Sequence, residues 1–202
     1  MPNDTVILDY FSKLEEVSVS DIQQWLPQPE DAIILENKIG NRMLYPQVIP
    51  QAAKDLAFNF AIIRKVIEKN QDKFYNKNLK KIEIPEGFLQ YFPDIQKLVT
   101  IFIDAILPPG ITAFWLKSLN LGPKNLGTLI RPDNLGAGSI VTIGVGGKQY
   151  QIKAGAMATI PITQSRADIT FTSASATLMD KKVLSIEVVT GQLGLMVDAR
   201  IS

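Results

Sequence analysis

The sequence of 202 residues contains no cysteine and no histidine. The chain can therefore form no disulfide and no thiolate site, and it lacks the usual ligands of zinc, copper and haem. The Ser–His and Cys–His pairs of common nucleophilic enzymes are excluded for the same reason. These absences favour a protein that acts by binding or assembly, so we expect no metal ion, no cofactor and no enzymatic activity.

An excess of charge of one sign is also missing. The 21 Lys and Arg residues nearly balance the 20 Asp and Glu residues, which leaves a formal net charge of +1. The net charge of the chain therefore does not indicate a nucleic-acid partner. The chain begins with Met1-Pro2-Asn3, and no basic segment followed by an apolar stretch is present. We therefore predict no secretory signal and synthesis in a cytoplasm.

Long hydrophobic runs are scarce. The most apolar segment, Leu98–Leu107, contains Asp104 and ends at Pro108 and Pro109. It is much shorter than the roughly 20 residues that a spanning helix needs. The sequence predicts a buried helix here, and the alternative is contact of Leu98–Leu116 with a bilayer or with an apolar groove of a partner.

The composition changes near residue 120. Most aromatic and acidic residues lie before it, whereas most glycines and a series of short Val, Ile and Thr-rich segments lie after it. This change predicts an α+β fold with two parts. Residues 1–122 form a mostly helical assembly or anchoring part, and residues 123–202 form a small antiparallel β-sandwich or jelly-roll-like module. Leu121–Asn125 is the predicted link.

Apolar residues recur at helical spacing in the first part. A first helix is predicted from Asn3 or Asp4, and Glu30–Asn37 adds a turn or two before Gly40. The strongest helix begins at Pro50 and extends to about residue 70, and another runs from residue 93 or 94 to residue 108. Thr112–Leu119 is a short amphipathic segment that we assign to the same part.

Seven strands are predicted in the second part. In the last two, apolar and polar residues alternate, which is typical of half-buried antiparallel strands and places Asp198 on a polar face. Gly146-Gly147 predicts a tight hairpin. The strands are Gly127–Arg131, Ser139–Val145, Lys148–Ile152, Ala156–Ile162, Asp168–Thr172, Val183–Thr190 and Leu193–Ile201.

Two patterns could carry chemistry, and both favour a structural interpretation. The glycines of Gly144–Gly147 are followed by a strand pattern, whereas phosphate-binding loops open a helix. Glu83 and Glu86 flank Pro85 and would be the carboxylate pair of a hydrolase. Nothing in the sequence places them across a cleft, so a hydrolase ranks behind a structural or binding protein.

The residues 129–190 follow a recognisable order of turns and strands. A loop with Asn134 leads into a strand, a Gly-Gly turn and an Ala154-Gly155 corner follow, and a later strand ends in Pro161. A Thr-x-Thr-Ser strand end and a closing hairpin complete the segment. This pattern resembles the small β-sandwich modules of bacteriophage virion proteins. The resemblance covers about a third of the chain and implies function through surface and shape, with no functional residue carried over.

The resemblance therefore implies a non-enzymatic virion structural protein. A capsid vertex, spike-base, decoration or tail-adaptor component would contact copies of itself and other virion proteins. The alternative is a carbohydrate-binding or adhesin-type module. Because Leu98–Leu107 and the following segment are rich in large apolar residues, we predict that Ile106, Phe114 and Trp115 lie at or near a subunit interface.

Overall fold

The computed structural model describes residues 5–7, 13–71, 79–118 and 120–201. Within these residues the chain has an α+β fold, with four α-helices that precede most of the strands and two mostly antiparallel sheets. The α+β class is confirmed. The helices are α1 (Val19–Gln23), α2 (Ala32–Leu44), α3 (Ala53–Lys69) and α4 (Ile95–Ile106), and single 3-10 turns occupy Leu14–Glu16 and Glu86–Gln90.

The described strands form a six-stranded and a four-stranded sheet. The larger has the order β1-β2-β3-β4-β10-β7 and the smaller the order β6-β5-β8-β9. Two pairs in the larger sheet, β1 with β2 and β4 with β10, are parallel. The strands are β1 (Thr5–Ile7), β2 (Lys81–Pro85), β3 (Gly110–Lys117), β4 (Pro123–Arg131), β5 (Ile140–Val145), β6 (Lys148–Lys153), β7 (Met157–Ile160), β8 (Arg166–Ser173), β9 (Val183–Val189) and β10 (Leu195–Asp198).

One apolar core contains side chains from both sheets. Ile130 and Val197 of the larger sheet pack in the same cluster as Ile143 and Phe171 of the smaller sheet. The alternation of β8 is strict, since every second residue is buried. All seven strands predicted after residue 123 are present, and Gly146 and Gly147 form their hairpin with the positive φ angles (56° and 77°) that such turns require.

The described residues divide into two compact units. A β-rich unit comprises residues 5–7, 79–84, 108–118 and 120–201, and a helical unit comprises residues 13–71 and 85–107. The predicted division between residues 122 and 123 falls inside the β-rich unit. There β3 and β4 form an antiparallel hairpin in which Lys117 pairs with Pro123. Leu121–Asn125 is therefore a hairpin turn and the start of a strand.

Helices α3 and α4 form where the sequence predicts them. The Asp55 carboxylate accepts a hydrogen bond from the Ala52 amide at 3.2 Å, and the Asp94 carboxylate accepts one from the Lys97 amide at 2.9 Å. These side chains satisfy backbone donors that the first turn leaves free. Helix α4 ends at Leu107, which has a φ of 50° and precedes the two prolines.

Three predicted elements differ in the structure. Residues 5–7 form a strand rather than the start of a helix, and most of the predicted first helix lies outside the described residues. Thr112–Leu119 mostly belongs to β3, because the strand β4 is available to pair with it. Helix α2 continues through Gly40 to Leu44, since its buried residues Leu35, Ile39 and Arg42 maintain helical spacing past the glycine.

The last strand also differs from its prediction. β10 lies between β4 and β7, and all four of its residues are buried. The Asp198 side chain is fully buried instead of solvated, 3.8 Å from the Arg131 guanidinium and 2.7 Å from Nε of Arg200. Burial lowers the pKa of Arg131, and the Asp198 carboxylate opposes that shift.

The buried pair yields a stability prediction. Asp198→Asn keeps the shape of the side chain but leaves Arg131 buried without its counter-charge, so the free energy of unfolding should fall by about 3–5 kcal/mol. Asp168→Asn, on an exposed position of β8, should change it by less than about 0.5 kcal/mol. Urea denaturation of both variants measures the difference. Equal, small effects would show that the ion pair does not hold the sheet together.

Candidate interaction surface and cleft

The three residues predicted at an interface have different surroundings. Ile106 is 6% exposed and Phe114 is fully buried in its own chain. Neither side chain is available to a partner, because neighbours in the same chain already cover it. Trp115 is half-buried and keeps accessible surface. Most side chains of Leu98–Ile106 are buried too, so this segment is an ordinary core helix and offers a bilayer little apolar surface.

The largest group of exposed apolar side chains lies on α2 and the segment after it. We call this group the α2 outer surface, and Ile33 and Leu44 are 68% and 72% exposed. The spacing of eleven residues places these two side chains on one side of the helix. The members of the surface are Ile33, Ile34, Met43, Leu44, Tyr45, Val48 and Ile49.

Helix α2 therefore has two apolar faces. Leu35 and Ile39 form a narrow inner stripe that packs into the helical unit, whereas Ile33 and Leu44 point to solvent. A surface helix of a monomeric protein normally has a single apolar face. Extended exposed apolar patches are typical of surfaces that bind another protein. On this side of α2, exposed Asn37 and Asn41 lie between Ile33 and Leu44.

Gly40 lies between Ile33 and Leu44 on the outer face. A Cβ atom built on Gly40 would meet no other atom within 4 Å. The isolated chain thus has no packing reason for glycine at this position, and glycine in a helix costs about 0.5–1 kcal/mol relative to alanine. Close approach of a partner's backbone is a physical reason to keep it.

A buried arginine fixes the segment that follows α2. Arg42 donates hydrogen bonds to the Val48 carbonyl at 2.5 Å and to the Asn59 side chain at 2.7 Å. These bonds tie residues 46–50 to α3, and a cleft of about 400 Å³ lies beside them, with Tyr45 and Phe58 among its lining residues. The exposed side chains of Val48 and Ile49 are therefore presented from an anchored segment.

Trp115 lies beside a second cleft, in the β-rich unit. The Lys81 ammonium is 4.9 Å from the centre of the indole ring, and the Glu83 carboxylate holds that ammonium at 2.6 Å. Lys117 is 3.6 Å from the same carboxylate. These contacts, with the Lys81 hydrogen bond the strongest, lower the pKa of Glu83. Glu83 thus orients a cation over an indole, and cation–π contacts stabilise such an arrangement.

Sequence reasoning missed the α2 outer surface. Its signal was present, because Ile33 and Leu44 fall on one side of a helix and Leu35 and Ile39 on another. The prediction ended this helix before Gly40, which removed Leu44 and Tyr45 from it. Among the residues that the structure describes, no three metal-ligating side chains cluster, and no helix has the length and apolar character needed to cross a membrane.

No family model, curated protein or solved structure matches this chain.

The geometry of Gly40 gives a prediction for the isolated chain. Gly40→Ala should raise the free energy of unfolding by about 0.5–1 kcal/mol, because alanine favours the helix and its methyl group meets open space. Gly87→Ala, also with open space but outside the α-helices, should give a smaller gain. Thermal unfolding at low protein concentration measures both. A loss of stability in Gly40→Ala would mean that the position needs glycine within its own chain.

Proposed function

We propose that the protein is a non-enzymatic structural protein of a bacterial virus, built to assemble through subunit–subunit contacts. The observation that carries the assembly role is the α2 outer surface, with large apolar side chains as exposed as Ile33 and Leu44. Burying one such side chain in an interface contributes about 1.5–3 kcal/mol. The surface contacts a second copy of the chain, and other virion proteins are further partners.

The virion placement rests on the resemblance in residues 129–190. A sandwich of jelly-roll type is the proposed architecture of the β-rich unit, and its support is the single core shared by the two sheets. Such a module would serve a capsid vertex, a spike base, a decoration protein or a tail adaptor. In each of these virion positions the protein would function through its shape and its contact surfaces.

Assembly is tested by adding a charge to the α2 outer surface. Leu44→Glu should convert the oligomer to a monomer and leave the melting temperature at low protein concentration unchanged, because Leu44 is 72% exposed in its own chain. Leu121→Glu is the matched control, since Leu121 is 88% exposed in the β3–β4 turn, and it should leave the oligomer intact. Size-exclusion chromatography with light scattering, over a concentration series, measures the mass.

Gly40→Ala serves as a second variant in the same assay. If a partner's backbone approaches Gly40, the added methyl group should weaken self-association although it stabilises the helix. A monomeric wild-type chain at high concentration would contradict the assembly proposal. The virion placement has a separate test, because mass spectrometry of purified virus particles should detect the chain at a fixed stoichiometry to the major capsid protein.

A further inference from the structure

Four residues on the outer face of α2 have the spacing of a contact between two helices. We call them the α2 seam, and successive members are four, three and four positions apart in the sequence. This spacing keeps a line of side chains directed at one neighbouring helix. The line lies on the side of α2 opposite to the inner stripe that packs into the helical unit. The members of the seam are Ile33, Asn37, Gly40 and Leu44.

Every member of the α2 seam is accessible from outside the chain. Ile33 and Leu44 are 68% and 72% exposed, and the Asn37 side chain is exposed between them. A Cβ atom on Gly40 would meet no other atom within 4 Å. None of the four side chains is charged. A second copy of the seam can therefore face the first without the repulsion that opposes contacts between like charges.

The α2 seam is complementary to its own copy when the two helices run in opposite directions. If Ile33 lies opposite the partner's Leu44, Asn37 lies opposite the partner's Gly40, because both pairs share one midpoint in the sequence. A two-fold axis through that midpoint repeats each contact, which defines an isologous interface. Apolar side chains then meet at both ends of the seam. In the middle, Asn37 enters the space that the partner's glycine leaves open.

A parallel arrangement of the same two helices fits less well. Gly40 would face the partner's Gly40, which leaves a gap whose lining atoms lose their dispersion contacts. The macrodipoles of the two helices would also point the same way, whereas antiparallel helices place opposite partial charges side by side. We therefore infer that the α2 seam forms a two-fold interface between two copies of this chain, with the two α2 helices antiparallel. This inference rests on the proposed assembly role and adds the identity and the orientation of the partner.

The chain contains no cysteine, so introduced cysteines can report the contact without interference. In the double variant with Ile33→Cys and Leu44→Cys, each new thiol lies opposite a thiol of the partner. Mild oxidation should therefore link most of the associated chains into covalent dimers, which non-reducing electrophoresis detects. The two positions in one chain are about 16.5 Å apart along the helix, and a disulfide needs Cα atoms within about 7 Å. The thiols thus cannot pair within a single chain.

The two single variants are the matched controls for this experiment. In an antiparallel pair, position 33 of one copy lies about 16.5 Å along the helix axis from position 33 of the other, and the same holds for position 44. Neither Ile33→Cys nor Leu44→Cys alone should therefore give covalent dimers above the background. Leu121→Cys, 88% exposed in the β3–β4 turn, defines that background.

A pair of opposite charges tests the same contact without cysteine. Ile33→Glu and Leu44→Lys should each weaken self-association by about tenfold or more, because an unpaired charge replaces an apolar contact. When both substitutions are present in one chain, each carboxylate faces an ammonium group of the partner. The double variant should therefore associate about tenfold more tightly than Ile33→Glu alone. Sedimentation equilibrium over a concentration series measures the dissociation constants.

The failure of this inference can be distinguished from the failure of the assembly proposal. A wild-type chain that stays monomeric at high concentration contradicts both. A wild-type chain that associates, while the double cysteine variant is not linked and the double charge variant is no tighter than Ile33→Glu, overturns this inference alone. Association would then use another surface.

Two further results would assign the α2 seam differently. Covalent dimers of Ile33→Cys alone would indicate parallel helices and overturn the antiparallel interface. A chain that is monomeric by itself, but that loses binding to another virion protein on Ile33→Glu, would show that a different partner covers the seam. That result would also overturn the inference.

Discussion

The burial of β10 between β4 and β7 is the constraint on which the β-rich unit depends. This strand comes at the end of the described chain, yet it occupies the interior of the larger sheet. It pairs with β4 in parallel and with β7 in antiparallel, so residues far apart in sequence must meet before the sheet is complete. Such non-local pairing makes folding slow and leaves earlier strands exposed until the last one arrives. The larger sheet is therefore complete only when its last strand has paired.

The same burial explains the ion pair inside the sheet. Asp198 has no access to water, so its charge is stabilised by Arg131 and Arg200. A buried pair of this kind adds little net stability, because desolvation offsets most of the attraction. Its effect is on specificity, since a shift of β10 by one residue would separate the Asp198 carboxylate from Arg131 on the neighbouring strand. The pair thus favours a single register.

Short Val, Ile and Thr-rich segments separated by turn signals were sufficient to predict every strand from β4 onward, and helical spacing was sufficient for α3 and α4. The failures have physical causes. Alternation in β10 suggested one polar face, but a strand covered on both sides buries Asp198 as well as Val197. The apolar residues of β3 fit a short amphipathic helix and a strand about equally well, and pairing with β4 decided between them. The burial of both faces of β10 and the strand conformation of β3 each depend on neighbouring strands, which the residues of these segments do not indicate.

The candidate sites were harder to predict than the fold. Trp115 was singled out because it is large and apolar, and this property does not distinguish an interface from a cleft. For α2, the sequence shows two apolar stripes but does not indicate which one faces inward. In the structure Leu35 and Ile39 are buried on the same side of α2 as Arg42, whose guanidinium bonds to Val48 and Asn59.

Arg42 also anchors the segment of the α2 outer surface that follows the helix. A flexible segment after the helix would fold its apolar side chains inward, since burial of each contributes about 1.5–3 kcal/mol. The guanidinium holds that segment through the Val48 carbonyl, and it is itself buried. Val48 and Ile49 are thereby kept at the surface beside Tyr45 and Leu44. The proposed interface would need little rearrangement when a partner binds, because the ordering of the segment is completed during folding.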